Sequence, residues 1–344
     1  MENALELGGV QAHCFPVGPD QQLIRRLEQE RPDLVFSAAY YTNGSSISRQ
    51  NVHALLERLG YPYIGSDAKT LELVIAKASL KKQWQRCCVQ TPAYIHVKKS
   101  DNGCPNNLEQ LHSLADFPYI IKPAKEGNSR GIDEDSIVFD RSALVRQTIQ
   151  KLSVFGEVLV ERYLGSEGDV REFTVAMIGS PEGDLVMPAE IRLKQPRKRR
   201  VITTQDKEGH NTLAVPVTDS PFRAQLCAFA RKAFQAAGVR DYARCDILQA
   251  GGKLHALEIN GQPMVPDAWF GACAQGAGLN THQYLNAIFL VGIARLIREG
   301  HELLIPQPMV DMLPARISKS LFSRRKEQLD RKNHFKNGDV VRYR

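Results

Sequence analysis

The chain has no run approaching the roughly 18 to 20 uninterrupted apolar residues of a membrane helix, so no membrane span is expected. Met1 to Gly18 shows neither a basic start nor an apolar signal core, which points to a cytoplasmic protein. The seven cysteines (Cys14, Cys87, Cys88, Cys104, Cys227, Cys245, Cys273) are scattered, odd in number and never in C-x-x-C spacing. That argues against a zinc ribbon or a disulfide scaffold and leaves reduced thiols, expected to be mostly buried. Walker A and Rossmann glycine spacings are absent, as are internal repeats and low-complexity tracts.

What is present suits a folded chain of two or three domains: 344 residues, 43% hydrophobic and 24% charged. The formal charge of +7 is unevenly spread, since Asp311 to Arg344 holds ten Lys or Arg against four Asp or Glu. The body is close to neutral and lacks any aromatic-interleaved basic strand or recognition-helix pattern, so no nucleic-acid partner is expected. The tail reads either as a solvated, partly helical extension or as a dock for an acidic partner.

The first segment alternates helical and strand patterns. Asp20 to Arg31 has apolar residues at helical spacing, Leu34 to Ala39 is a short apolar run, and Asn51 to Leu59 is helical until Gly60 stops it. Tyr61 to Gly65 reads as a strand, and the alternation predicts a parallel α/β unit. Leu5 to Gly8 reads as a helix end leading into a strand from Ala12 to Val17, with no counterpart of the usual first strand and Gly-rich turn. A second unit starts near Lys77, with helices over Ala76 to Gln85 and Ser142 to Leu152 and strands at Tyr119 to Lys122 and Val158 to Glu161. A strand-rich third unit follows: Val170 to Ile178, Leu185 to Leu193, Ala243 to Gln249 and Leu254 to Ile259, with helices over Phe222 to Ala237 and Thr281 to Arg298. Pro196 to Asn211 is polar and basic and is expected to be a mobile loop.

Three segments carry chemistry. Lys122 ends an apolar strand before the small-residue turn Pro123 to Gly131, a setting that puts an ammonium and free backbone amides where polyphosphate oxygens can sit. An exposed lysine beside an ordinary loop is the plainer reading. Glu161, followed by Tyr163 and Leu164 at a strand end, and Glu172 offer carboxylates and backbone groups for a nucleoside, although strand-end glutamates are commonly just solvated. Arg244, Asp246, Glu258 and Asn260 sit on two strands joined at Gly251-Gly252, where alternation puts the oxygen donors on one face. Oxygen-only ligands suit magnesium, and two carboxylates packed together without a cation would repel.

In this order the pieces resemble the ATP-grasp superfamily, and most closely its D-alanyl-D-alanine ligase branch, from about Val35 to Arg295. The matching residues are Ile64-Gly65-Ser66, the helix around Ala76-Lys77, Lys-Pro-Ala-x-Glu-Gly-x-Ser-x-Gly at 122 to 131, Glu-Phe-Thr-Val at 172 to 175 and Leu-Glu-Ile-Asn at 257 to 260. The resemblance implies an α/β (α+β) ATP-grasp fold: an N-terminal parallel α/β unit over 1–76, two subdomains that clamp ATP over 77–163 and 164–310, and a basic tail over 311–344. It implies a ligase that uses ATP and Mg2+ to join an acid and an amine, amino acids or related metabolites, through an acyl phosphate. Lys77 and Lys122 would contact phosphates, Glu161 the adenine amine with Tyr163 and Leu164 beside it, and Glu172 the ribose. Asp246, Glu258 and Asn260 would hold two magnesium ions, replaceable by Mn2+, while Arg244 stabilises the charged transition state. Ser129 would lie beside the substrates and Lys207 would be the cation of the closing lid. By analogy the chain is also expected to form a homodimer.

The substrate side departs from the branch. Its Pro-Gly-Met-Thr run after the metal asparagine is replaced by Pro263-Met264-Val265-Pro266, and Trp269 stands near the serine that helps seat the second substrate. Tyr40 to Ser48 replaces a His-Gly pair and a Gly-Glu-Asp-Gly turn. The competing readings are a regulatory nucleotide-binding module, a kinase, and a ligase that loads an acidic carrier protein docked on the tail.

Overall fold

The computed structural model describes residues 1–43, 50–99, 105–127, 129–166, 169–180, 185–195, 201–209 and 211–321. Near the N-terminus, α1 (Glu2–Leu7) buries Ala4 and Leu5, and α2 (Asp20–Glu30) buries Leu23 and Leu27, one helical turn apart. The stripe of α2 packs with α3 (Val52–Leu59) against a short parallel pair, β1 (Val35–Phe36) and β2 (Tyr63–Ile64). The Asn51 side chain opens α3 by accepting from the amides of His53 and Ala54, and Gly60 closes it at φ +75°. Asp67 caps α4 (Ala68–Ile75) in the same way. The expected strand from Ala12 to Val17 does not form. Pro16 has no N–H to give a ladder, and Phe15 and Val17 pack against the core of α2 and α3 instead.

The next stretch runs α5 (Lys77–Arg86), β3 (Tyr94–Lys98), α6 (Leu108–Ser113), β4 (Tyr119–Pro123), β5 (Ile137–Val138), α7 (Arg141–Phe155) and β6 (Glu157–Arg162). Its four strands form an antiparallel sheet in the order β3-β6-β4-β5. Ile121, Val158 and Val160 point to Leu144 and Leu152 of α7, so the alternate residues of β4 and β6 face away from that helix.

The last stretch adds β7 (Arg171–Gly179), β8 (Leu185–Leu193), α8 (Thr204–Glu208), β9 (Thr212–Pro216), α9 (Ser220–Ala237), β10 (Asp241–Ala250), β11 (Lys253–Asn260), α10 (Ala268–Gly276), α11 (Thr281–Glu299) and α12 (Gln307–Asp311). Five strands form a second antiparallel sheet, β11-β10-β7-β8-β9. On one face Phe173, Val175 and Met177 pack against Leu226 and Phe234 of α9. On the other, Ala176 and Ile178 pack against Phe270, Ile288 and their neighbours on α10 and α11. Gly251 (φ +53°) and Gly252 (φ +73°) make the tight turn of the β10-β11 hairpin, which needs positive φ at both positions.

Two further expectations change. The segment from 196 to 211 is not one loop: Thr203 and Asp206 close a capping box that starts α8, while residues 196–200 and 210 lie outside the described residues. Among the six described cysteines, Cys14, Cys87 and Cys88 are exposed, and only Cys245 and Cys273 are fully buried. Cys87 and Cys88 follow the end of α5, where the chain turns and Cys88 takes φ +56°. Most of the basic tail, residues 322–344, also lies outside the described residues. Among those described, no helix is long and apolar enough to cross a membrane.

Candidate active site

Between the two larger sheets lies a cleft lined by charged and apolar side chains. Strand alternation aims its contents. In β4, Ile121 faces α7, so Ile120 and Lys122 enter the cleft, and in β6 Val160 faces α7, so Glu161 does. Tyr163 and Leu164 continue that wall. From the opposite sheet come Glu172, Asp246, Leu248, Leu257 and Glu258, with Lys77 at the start of α5. Ser129, Ile132, Val201, Ile202, Lys207 and Trp269 also line it.

The carboxylates are matched by cations. Lys77 Nζ lies 3.1 Å from Glu258 Oε2 and donates to Glu126 O at 2.5 Å. Lys122 Nζ donates to Glu161 Oε2 at 2.9 Å. Burial opposes ionisation of Glu161, yet Lys122 and Lys81 outweigh it and hold the carboxyl below its usual range. Its other oxygen, Oε1, is buried and faces the Lys81 ammonium at 3.3 Å, with no aligned hydrogen bond from the described residues.

Asp246 and Glu258 face each other across the β10-β11 ladder, just before a bulge at Leu257. Burial pushes Asp246 up, against the pull of Arg244, and the charge on Glu258 adds to the push. Burial also works against Glu258, but Lys77, Lys207 and Lys122 win and hold it well below the usual carboxylate range. Thr174 Oγ1 donates to Asp246 Oδ1 at 2.7 Å, fixing one oxygen. Among the described residues no group of three or more His, Cys, Asp or Glu is placed to hold a metal ion by itself. Two facing carboxylates and an amide oxygen do suit Mg2+, which keeps waters and phosphate oxygens in its shell. The donor set therefore fits such an ion.

Arg244 and Asn260 form the adjacent ladder pair on the same face, outside the lining of the main cavity. Arg244 Nη1 donates to Asp267 Oδ2 at 2.9 Å, and the guanidinium lies 4.9 Å from the centre of the Trp269 ring. Lys207 lies over that ring as well, at 5.1 Å. The Trp269 Nε1–H donates to Thr212 Oγ1 at 3.2 Å. Asn260 Oδ1 accepts from Tyr40 Oη at 3.0 Å and from Gln262 N at 3.1 Å, so both lone pairs are engaged. Ser129, at φ +58°, accepts from Thr204 Oγ1 through its carbonyl, linking the small-residue turn to the start of α8.

Sequence reading missed several of these partners. Lys81, Tyr40, Thr174 and Asp267 were assigned no role, although Thr174 lies within the matching Glu-Phe-Thr-Val run and the i,i+4 spacing of Lys77 and Lys81 on one amphipathic helix was available.

Two antiparallel sheets enclosing a cleft with paired lysines on one side and paired carboxylates on the other define an ATP-grasp fold. Residues 83–289 match the family model described as D-ala D-ala ligase C-terminus. The chain is 30% identical over 266 residues to D-alanine-D-alanine ligase B of Xanthomonas campestris, covering 76% of this chain and 77% of that protein. It is 30% identical over 288 residues to D-alanine-D-alanine ligase of Stutzerimonas stutzeri, covering 83% and 85%. The chain belongs to the D-alanyl-D-alanine ligase family and is an ATP-dependent ligase. Its fold is similar to the crystal structure of D-alanine-D-alanine ligase from Bacillus anthracis complexed with ATP (TM-score 0.62, 21% identity, 82% of this chain and 85% of that one). It is also similar to VanG D-Ala:D-Ser ligase from Enterococcus faecalis (TM-score 0.60, 19% identity, 76% and 73%).

Proposed function

We propose that the chain joins the carboxylate of one amino acid, or a close relative, to the amine of another through an acyl phosphate. The observation that carries this reading is the pairing of Asp246 with Glu258 across one ladder, within reach of Lys77 and opposite the Lys122–Glu161 pair. Lys77 and Lys122 would grip the polyphosphate, Glu161 would accept from the adenine amine beside Tyr163 and Leu164, and Glu172 would bind the ribose. Mg2+ held by Asp246, Glu258 and Asn260, the last releasing one of its present donors, would neutralise charge on the phosphate oxygens.

Arg244, aligned by Asp267, would stabilise the negative charge that develops as the phosphoryl group transfers and the amine attacks. Ser129 would lie beside the substrates and Lys207 would close the mouth, because an acyl phosphate open to water hydrolyses. The separate sheets in those ranges support a division into 1–76, 77–163 and 164–310.

The acceptor in this reading is not plain D-alanine. Trp269 stands near the place of the expected serine, its one N–H is given to Thr212, and an indole has no hydroxyl to seat a carboxylate. A screen of amino-acid pairs with the purified protein, Mg2+ and ATP tests the whole reading. ADP and phosphate should appear only when acid and amine are both supplied. Release with an acid alone would indicate a kinase, and no release with any pair would indicate a binding module.

A further inference from the structure

Lys81 lies one helical turn beyond Lys77 on α5 and is 0% exposed. It does not line the cleft, yet its Nζ lies 3.3 Å from Glu161 Oε1. The same ammonium donates to Thr91 Oγ1 at 2.6 Å, and Thr91 in turn donates to Ala256 O of β11 at 2.8 Å. Tyr94 covers it from β3, with the ring centre 5.8 Å away. Burial pulls its pKa down to about 8, against the pull of Glu161, so it stays largely charged at neutral pH.

Glu161 thus has two cations with different freedom. Lys122 is partly open to the cleft and free to turn towards a phosphate, whereas Lys81 is enclosed and anchored. Once a nucleotide draws Lys122 away, Lys81 is the remaining cation within ion-pair distance among the described residues. Without it, Glu161 would be a buried carboxylate with no counter-charge, and such groups take up a proton. A carboxylate can only accept, and so favours an exocyclic amine. A protonated carboxyl can donate, and so tolerates a carbonyl in its place.

We propose that Lys81 is a positioning residue that selects the nucleobase, fixing Glu161 as a pure acceptor so that the cleft prefers an amino-purine triphosphate over its 6-oxo analogue. This rests on the assignment of Glu161 to the base. The test is calorimetric titration of the full chain with ATP and with ITP, both with Mg2+. Wild type should prefer ATP, and Lys81→Met should cut the ATP-to-ITP affinity ratio about tenfold or more. Thr91→Val, which removes the anchor and keeps the shape, should move the ratio the same way and serves if Lys81→Met fails to fold. In a Glu161→Gln background, Lys81→Met should leave the ratio unchanged, which a merely structural lysine would not require. A ratio within twofold of wild type in the folded variants overturns the inference alone. A wild-type chain that takes up neither nucleotide overturns the ligase reading, and this one with it.

Discussion

His53 sits in a closed environment, with Nδ1 2.7 Å from Ser66 O and Nε2 3.2 Å from Gln262 Nε2. The carbonyl needs a donor and the amide nitrogen an acceptor, so these partners fit a neutral ring protonated on Nδ1. Burial lowers its pKa from 6.5 to about 4. The unfolded chain therefore binds a proton at a higher pH than the folded one. Stability from this residue is complete above the ordinary histidine range and is lost as pH falls towards 4, by roughly 3 kcal/mol. Denaturant unfolding at pH 7.5 and 4.5 checks this, because His53→Gln should flatten the difference by about that amount. At the cleft, Asp246→Asn or Glu258→Gln should lower turnover by several orders of magnitude with the fold intact. Phosphate release and Mg2+-dependent ATP titration measure it, and near-normal activity in both variants would refute the metal assignment.

Helices deliver the groups that strands do not. α5 buries Lys77, Leu80, Lys81 and Trp84 on one face, and Trp84 Nε1 donates to Ala233 O of α9 at 3.1 Å. Trp84→Ala should cost about 3–5 kcal/mol by opening a cavity at this junction, read as a lowered unfolding midpoint. Asp267 has two tasks, since Oδ1 caps α10 at Phe270 N and Oδ2 holds Arg244. Asn caps as well as Asp does, so Asp267→Asn should shift stability by no more than about 0.5 kcal/mol. It should still lower kcat, because Arg244 loses a charged partner. A kcat equal to wild type would sever Asp267 from the chemistry. Most long strands and helices were legible because each keeps one period over eight or more residues, although α4 and α10, of eight and nine residues, were not read. β3 and β9 were not, since they are five-residue edge strands, and α8 was hidden because its box, Thr203 with Asp206, lies inside a polar stretch.

Across the molecule, one buried ion pair ties the first segment to the last. Arg295 on α11 donates to both oxygens of Asp241 and to Tyr63 O, while Asp241 Oδ2 accepts from Gly65 N at 2.8 Å. Removing one partner leaves a buried charge alone, so Arg295→Met should cost about 3–5 kcal/mol. Limited proteolysis should then cut first between residues 1 and 76, and uniform resistance would contradict that role. Periodicity and the ordered motifs were enough to define the central strands of the two sheets and the family, because a strand's alternation and a hairpin's turn are local properties. Which lysine holds Glu161, which phenol reaches Asn260 and which ring carries Arg244 and Lys207 were decided only by packing. Those contacts join residues from 80 to 220 positions apart or different elements of one subdomain, and no local pattern encodes such distances.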